Sequence, residues 1–147
     1  ETPSHYKRLP LGVTNFRLYY SKNYIKKYGS LTSIKDLDKH MLIKFSGLLQ
    51  AYFSEANNAF SDIDADENYS YIIDAYLAEY NLVKEGAGIA CLCKEFVEVK
   101  NDTSIIDVFP KMKSVSVPLY MFYNKKEDKN IIQNIYDILK KTSMFIV

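Results

Sequence analysis

Apolar positions along this chain follow two rhythms, short β-rich runs and helical stretches bounded by capping residues. Thr14 to Tyr20 (Thr-Asn-Phe-Arg-Leu-Tyr-Tyr) is rich in β-formers and predicts a strand. Ser21 is placed to cap a short helix over Lys22 to Tyr28, closed by Gly29. Ser33-Ile-Lys-Asp36 matches a capping box, which predicts a second short helix through about Lys39. Met41 to Phe45 is the next strand, turned by Ser46-Gly47. Tyr69 to Ile73 predicts another, feeding a helix opened by Asp74, whose carboxylate can accept from the orphaned amides of a first turn. On that helix Leu77, Tyr80 and Val83 fall at i, i+3 and i+6 and predict one apolar stripe. Gly86 has the left-handed freedom to end it, and Gly88 allows close backbone packing before the strand Ile89–Leu92.

Further strands are predicted over Ile105–Phe109 and Val115–Tyr123, and Pro118 within the latter indicates an edge position or a bend. Asp128 caps a helix from Lys129 to Lys141 with Ile131, Ile135 and Leu139 on one face. Residues 48–68 show no clear period and read as loop, with room for a short strand. Strands alternating with helices predict an α/β fold with a largely parallel sheet. There is no internal repeat and no low-complexity linker.

Composition narrows the function classes. The 147 residues, 48% of them apolar, suffice for one core. Lysine plus arginine number 19 against 18 acidic residues, which argues against a nucleic-acid footprint, and no helix-turn-helix or basic helix is visible. No apolar run reaches membrane-spanning length, and the first residues lack a signal peptide's basic and apolar regions. A chain opening at Glu1 is expected to be a piece of a longer protein, with the cytoplasm as its compartment and both cysteines as thiols. Cys91 and Cys93 lie two apart on a strand, on one face, and read as core packing.

Specific chemistry is largely excluded. Asp62-Ile-Asp64-Ala-Asp66-Glu67-Asn68 opens like a calcium loop, but Glu67 stands where glycine is needed and Ile73 where a bidentate glutamate is needed. His5 and His40 have no Cys or His at metal spacing, so no metal is expected; His40 is placed to meet terminal carbonyls of the second helix. No nucleophile elbow, phosphate loop or dinucleotide fingerprint is present, so no catalytic residue and no cofactor are expected. The thirteen tyrosines scatter without basic clusters and read as packing.

Four segments stand in order: Tyr20-Ser-Lys-Asn-Tyr24-Ile-Lys-Lys-Tyr-Gly29, Ser33-Ile-Lys-Asp36-Leu37-Asp-Lys-His40, Leu82-Val-Lys-Glu-Gly86-Ala-Gly88-Ile89-Ala90, and Val117-Pro118-Leu-Tyr120 with the helix after it. Together they resemble the effector-binding domain of LysR-type transcriptional regulators. They correspond to the family's Ser-Pro-x-Tyr-Leu followed by glycine, its Asp-Leu-x-x-His, its Gly-x-Gly-Ile turn, and its closing strand and helix. Asn23 replaces a common proline and Cys93 stands where proline is frequent, changes that remove only local rigidity. The resemblance implies a two-lobed, periplasmic-binding-protein-like (type 2) α/β fold, here mostly lobe II with a partial lobe I. Residues 1–20 would be the end of lobe I and the first crossover strand, 21–117 lobe II, and 118–147 the second crossover strand and last helix of lobe I. On this resemblance a winged helix-turn-helix, a linker helix and the first half of lobe I are expected to be absent from this chain, and uncovered strand edges then predict pairing with a partner chain or strand exchange.

The resemblance also implies that a small metabolite binds between the lobes, that the protein forms homo-oligomers, and that DNA is contacted only through the missing helix-turn-helix. The effector-binding positions it points to are Phe45, Ser46 and Gly47 after one strand and Asp74, Ala75 and Tyr76 at a helix start. Amides at a helix start and a Ser-Gly turn can donate to an anion, and Phe45 can wall the ligand's body. Asp74 works against a simple anion if its carboxylate already holds those amides, which favours an amine-bearing or neutral polar ligand, or a lost site. Plain turn and cap chemistry explains the same residues. A solute-binding lobe of a transport-type protein, a pure oligomerisation module, and an enzyme on the same scaffold are the rival readings; the last lacks a nucleophile or an acid–base pair.

Overall fold

The computed structural model describes residues 4–45 and 69–142. Ser46, Gly47 and the calcium-loop-like Asp62–Asn68 lie outside the described residues. In chain order the elements are β1 (Tyr6–Ser21), α1 (Lys22–Tyr28), a 3-10 helix (Ile34–Lys39), β2 (Leu42–Phe45) and β3 (Tyr71–Ile73). There follow α2 (Tyr76–Lys84), β4 (Ile89–Cys93), α3 (Lys94–Lys100), β5 (Ile105–Asp107), β6 (Val115–Asn124) and α4 (Lys129–Thr142).

The strands form one sheet in the order β3-β2-β4-β1-β5, with β6 added along β1. It is mixed rather than largely parallel. β2 runs parallel to both β3 and β4, whereas β1 is antiparallel to β4, β5 and β6. Alternation with helices produced the parallel half, but β1 enters from the opposite direction, and only long-range pairing reveals that.

β1 is longer than its β-rich core because its first two-thirds zip onto β6, from Tyr6↔Asn124 to Phe16↔Val115. The ladder slips between Pro10 and Gly12, a bulge at a residue with no amide hydrogen to contribute. Among the described residues β6 pairs only with β1, so Pro118 sits on an edge strand as its chemistry requires. From Leu18 onward β1 is buried on both faces. There it runs between β4 and β5, with Leu18 and Tyr20 in one apolar cluster and Tyr19 in the other.

Local signals hold at several ends. The Ser21 hydroxyl accepts from the Tyr24 amide, and Gly29 closes α1 at φ +83°. The Ser33 hydroxyl accepts from Lys35 N–H, but Asp36 takes hydrogen bonds from Thr32 and Lys39, so only half of a capping box forms. Gly86 adopts φ +79° just after α2, and a Cβ on Gly88 would stand 2.8 Å from the Met41 carbonyl oxygen, confirming its close approach. Asp128 accepts from the amides of Asn130 and Ile131 and caps α4.

Two helix faces differ from expectation. On α2 the inward residues are Tyr76, Tyr80 and Val83, with Glu79, while Leu77 is 56% exposed. Spacings of i, i+3, i+6 and i, i+4, i+7 share two of three residues, and the sheet selects the second. On α4, Ile131 and Ile135 are 54% and 44% exposed; Tyr136 instead reaches the strands, its hydroxyl donating to the Pro10 carbonyl at 2.6 Å. The His40 ring does not meet helix carbonyls. Its Nδ1 hydrogen-bonds the Tyr24 hydroxyl at 2.9 Å, and that hydroxyl accepts from Met41 N–H at 3.1 Å.

Candidate functional site

Because β2, β3 and β4 are parallel, their carboxyl ends, Phe45, Ile73 and Cys93, lie along one rim of the sheet. Ligands of open α/β sheets gather at such rims. Two helices start there, α2 three residues after Ile73 and α3 directly after Cys93. β1 passes the same rim, because Phe16 pairs with Cys93 and Thr14 and Asn15 therefore fall just beyond the end of β4.

The structure brings Phe45 and Tyr76 together, their rings edge to face at 6.2 Å. Tyr76 in turn meets Phe96 at 5.2 Å, and Phe96 meets Tyr80 at 5.3 Å, both edge to face. Edge-to-face pairs add directional attraction to area burial, so this chain of rings stiffens the floor of the rim. The Tyr76 hydroxyl accepts from Cys93 N–H at 2.6 Å and locks the start of α2 to the end of β4. Burial pushes the Tyr76 phenol well above its ordinary range, keeping it neutral.

Asp74 does not cap α2. Ala75 is the N-cap, with no side-chain hydrogen bond, and the first helical bond runs from Glu79 N–H to the Ala75 carbonyl. Asp74 and Ala75 are both exposed. The helix starts one residue later than the capping preference indicates, so the Asp74 carboxylate does not fill the first-turn amides and the objection to an anionic ligand there falls away.

A polar cluster that sequence reading missed lies beside these residues. The Glu95 carboxylate accepts from the Asn15 amide N–H at 3.1 and 3.2 Å, from Asn15 Nδ2 at 2.7 Å, and from Thr14 Oγ1 at 3.2 Å. Cys93 Sγ donates to it at 3.3 Å and also lies 3.1 Å from Thr14 Oγ1. The Ser116 hydroxyl donates to Asn15 Oδ1 at 2.7 Å and so sets the amide's orientation. Burial alone would raise the Glu95 pKa, but the Asn15 hydrogen bonds outweigh it and hold it below the ordinary carboxylate range. α3 went unread because Lys-Glu-Phe-Val-Glu-Val-Lys is only seven residues long and carries two valines. Its available signals were the Lys94–Glu98 pair and Asn101, which takes the left-handed conformation at its end.

Beneath the rim, Glu79 on α2 is 1% exposed, and its Oε2 has no hydrogen-bond partner among the described residues. Desolvation raises its pKa to about 8. Both cysteines are free, and burial pushes their thiols up, consistent with packing rather than reactivity. Among the described residues no group of three or more His, Cys, Asp or Glu is arranged to hold a metal, and no helix is long and apolar enough to cross a membrane. A groove of about 340 Å³ lies elsewhere, between α4 and the β1–β6 pair, lined by Pro10, Val13, Pro118, Tyr120 and Tyr136.

Neither a family model nor a curated protein matches this sequence. Solved structures do match by shape. The regulatory domain of CrgA, a LysR-type transcriptional regulator from Neisseria meningitidis, aligns at TM-score 0.73 and 17% identity, over 97% of this chain and 71% of that one. The regulatory domain of AphB from Vibrio vulnificus aligns at 0.68 and 19%, over 94% and 70%. The effector domain of the transcriptional regulator AmpR from Pseudomonas aeruginosa aligns at 0.68 and 17%, over 95% of this chain and 65% of that one. The chain thus spans about two-thirds to seven-tenths of each. The fold is that of LysR-type regulatory domains, a periplasmic-binding-protein-like type 2 α/β fold, in agreement with the resemblance carried by the sequence segments.

Proposed function

We propose that this chain is the effector-sensing and oligomerising part of a LysR-type transcriptional regulator and carries no catalytic activity. Its effector is a small metabolite held at the sheet rim by Phe45, Ser46, Gly47, Asp74, Ala75 and Tyr76. Residues 21–117 act as lobe II, 1–20 and 118–147 supply the crossover strands and the last helix of lobe I, and the ligand lies between the lobes. DNA is reached through a helix-turn-helix outside this chain, and the compartment is the cytoplasm.

The observation that carries this reading is the convergence at one rim. Three parallel strand ends, two helix starts and the long strand β1 meet there, in a fold shared with regulatory domains over nearly the whole chain. A ligand at that junction touches both a helix start of the main sheet and the strand that continues onto β6, so binding biases how the two parts pack. The exposed Ile131 and Ile135 of α4, and an edge of β6 that no described strand pairs, support the oligomeric part of the reading.

The test is a thermal-shift screen of amino acids, aromatic and dicarboxylic acids and sugar phosphates, run on this chain and on a version extended upstream. A hit that Tyr76→Ala abolishes supports the reading, because a ligand binding the native state alone must stabilise it. A hit that survives substitution at both Phe45 and Tyr76 would place the ligand elsewhere and refute the site. No hit with either chain would favour a pure oligomerisation module.

A further inference from the structure

We propose that the Glu95 carboxylate occupies, from within the chain, a carboxylate seat built by Thr14, Asn15 and Cys93, and that a free small carboxylate takes this seat only when the Glu95 side chain is withdrawn. The inference deepens the sensing reading and rests on it for its regulatory consequence.

The long-range donors of the seat come from β1, while Cys93 at the N-cap of α3 and Glu95's own amide add local ones. Asn15 N–H is the first amide of β1 beyond the β4 ladder, which ends at Phe16↔Cys93, so β4 supplies it no carbonyl. Asn15 Nδ2 is aimed by the Ser116 bond to its own oxygen, and Thr14 is buried. Together they present a backbone amide, a side-chain amide and a hydroxyl to one carboxylate from 80 and 81 positions away in sequence, and the neighbouring Cys93 adds its thiol. Neutral donors converging on two oxygens are the arrangement by which proteins bind carboxylates without a counter-charge.

Among the described residues no lysine or arginine pairs with this carboxylate, so the seat discriminates by geometry and by a single negative charge. While Glu95 fills it, a second carboxylate meets both a like charge and spent donors. An effector that carries a carboxylate therefore has to displace Glu95 and release α3 from β1. Glu95 in place fastens α3 to the strand that passes from one part of the fold to the other. The seat so becomes a latch whose open state a carboxylate stabilises.

The experiment is chemical rescue of Glu95→Ala in the whole chain, with acetate and formate as probes and chloride at equal ionic strength as the control. E95A is expected to melt below the parent, and tens of millimolar acetate to raise its Tm by ~2–4 °C over chloride, as ligand linkage requires. The parent is expected to show no such rise, nor is E95A/N15A, which lacks the aimed amide. If E95A is unfolded in chloride, the same titration reads refolding by far-UV circular dichroism, and recovery in acetate but not in chloride supports the seat. Equal response of parent and E95A, or no carboxylate-specific response in E95A, overturns the proposal. Either result leaves the effector screen untouched, so failure of the latch and failure of the sensing reading are separable.

Discussion

Glu79→Gln is expected to stabilise the protein, and increasingly so as pH rises. Glu79 is almost wholly buried on α2, its Oε2 is unpartnered among the described residues, and desolvation lifts its pKa to about 8 from an ordinary 4.5. The folded state therefore holds a proton that the unfolded state releases. Below about pH 4.5 both states are protonated and the burial carries no ionisation penalty. Between there and about pH 8 the unfolded state is favoured by deprotonation, so stability falls as pH rises. At ~1.4 kcal/mol per pKa unit the whole loss is at most ~5 kcal/mol, and relaxation around the carboxylate reduces it to a few. A neutral amide of the same shape escapes this term. Urea unfolding of both proteins from pH 5 to pH 8.5 reads the difference, and every other titrating group cancels in the comparison. A gap in unfolding free energy that widens by ~2 kcal/mol or more across this range is the expected result. A gap that stays constant with pH would show that Glu79 is not a protonated buried acid, and would refute the reasoning.

Three other outcomes follow from the packing. Tyr76→Phe leaves Cys93 N–H without its acceptor and is expected to cost ~1–3 kcal/mol in urea unfolding, with the ring contacts to Phe45 and Phe96 retained. Gly88→Ala drives a methyl to 2.8 Å from the Met41 carbonyl oxygen and 2.9 Å from Ile43 Cγ1; a loss of ~1–3 kcal/mol is expected, and an unchanged melting temperature would contradict the β2–β4 register. Replacing Ile131 and Ile135 together by glutamate is expected to lower the mass seen by light scattering while the monomer's circular dichroism is kept, if α4 forms the contact between copies.

What the sequence determined by itself is the set of features that close within a few residues. Ser21 and Gly29 bound α1, Asp128 opens α4 and Gly86 follows α2 at positive φ, because a cap or a left-handed residue acts on amides and carbonyls of its own turn. The order of four such local patterns was enough to carry the resemblance to the LysR-type regulatory fold that the structural comparisons then matched. Tertiary structure alone decided everything that depends on distant partners. The direction of β1 in the sheet and its extension to Tyr6 along β6 follow from pairings 71 to 118 positions away, and the choice of Tyr76 over Leu77 as an inward residue from packing against Phe45 and Phe96, 31 and 20 positions away. A carboxylate in the first turn of a helix reads as solvated in any sequence, yet packing buries Glu79. Glu95 meets Asn15 only because β1 and β4 end at the same rim. Local free energies are small and short-ranged, and the cooperative burial of a sheet overrides them wherever the two disagree.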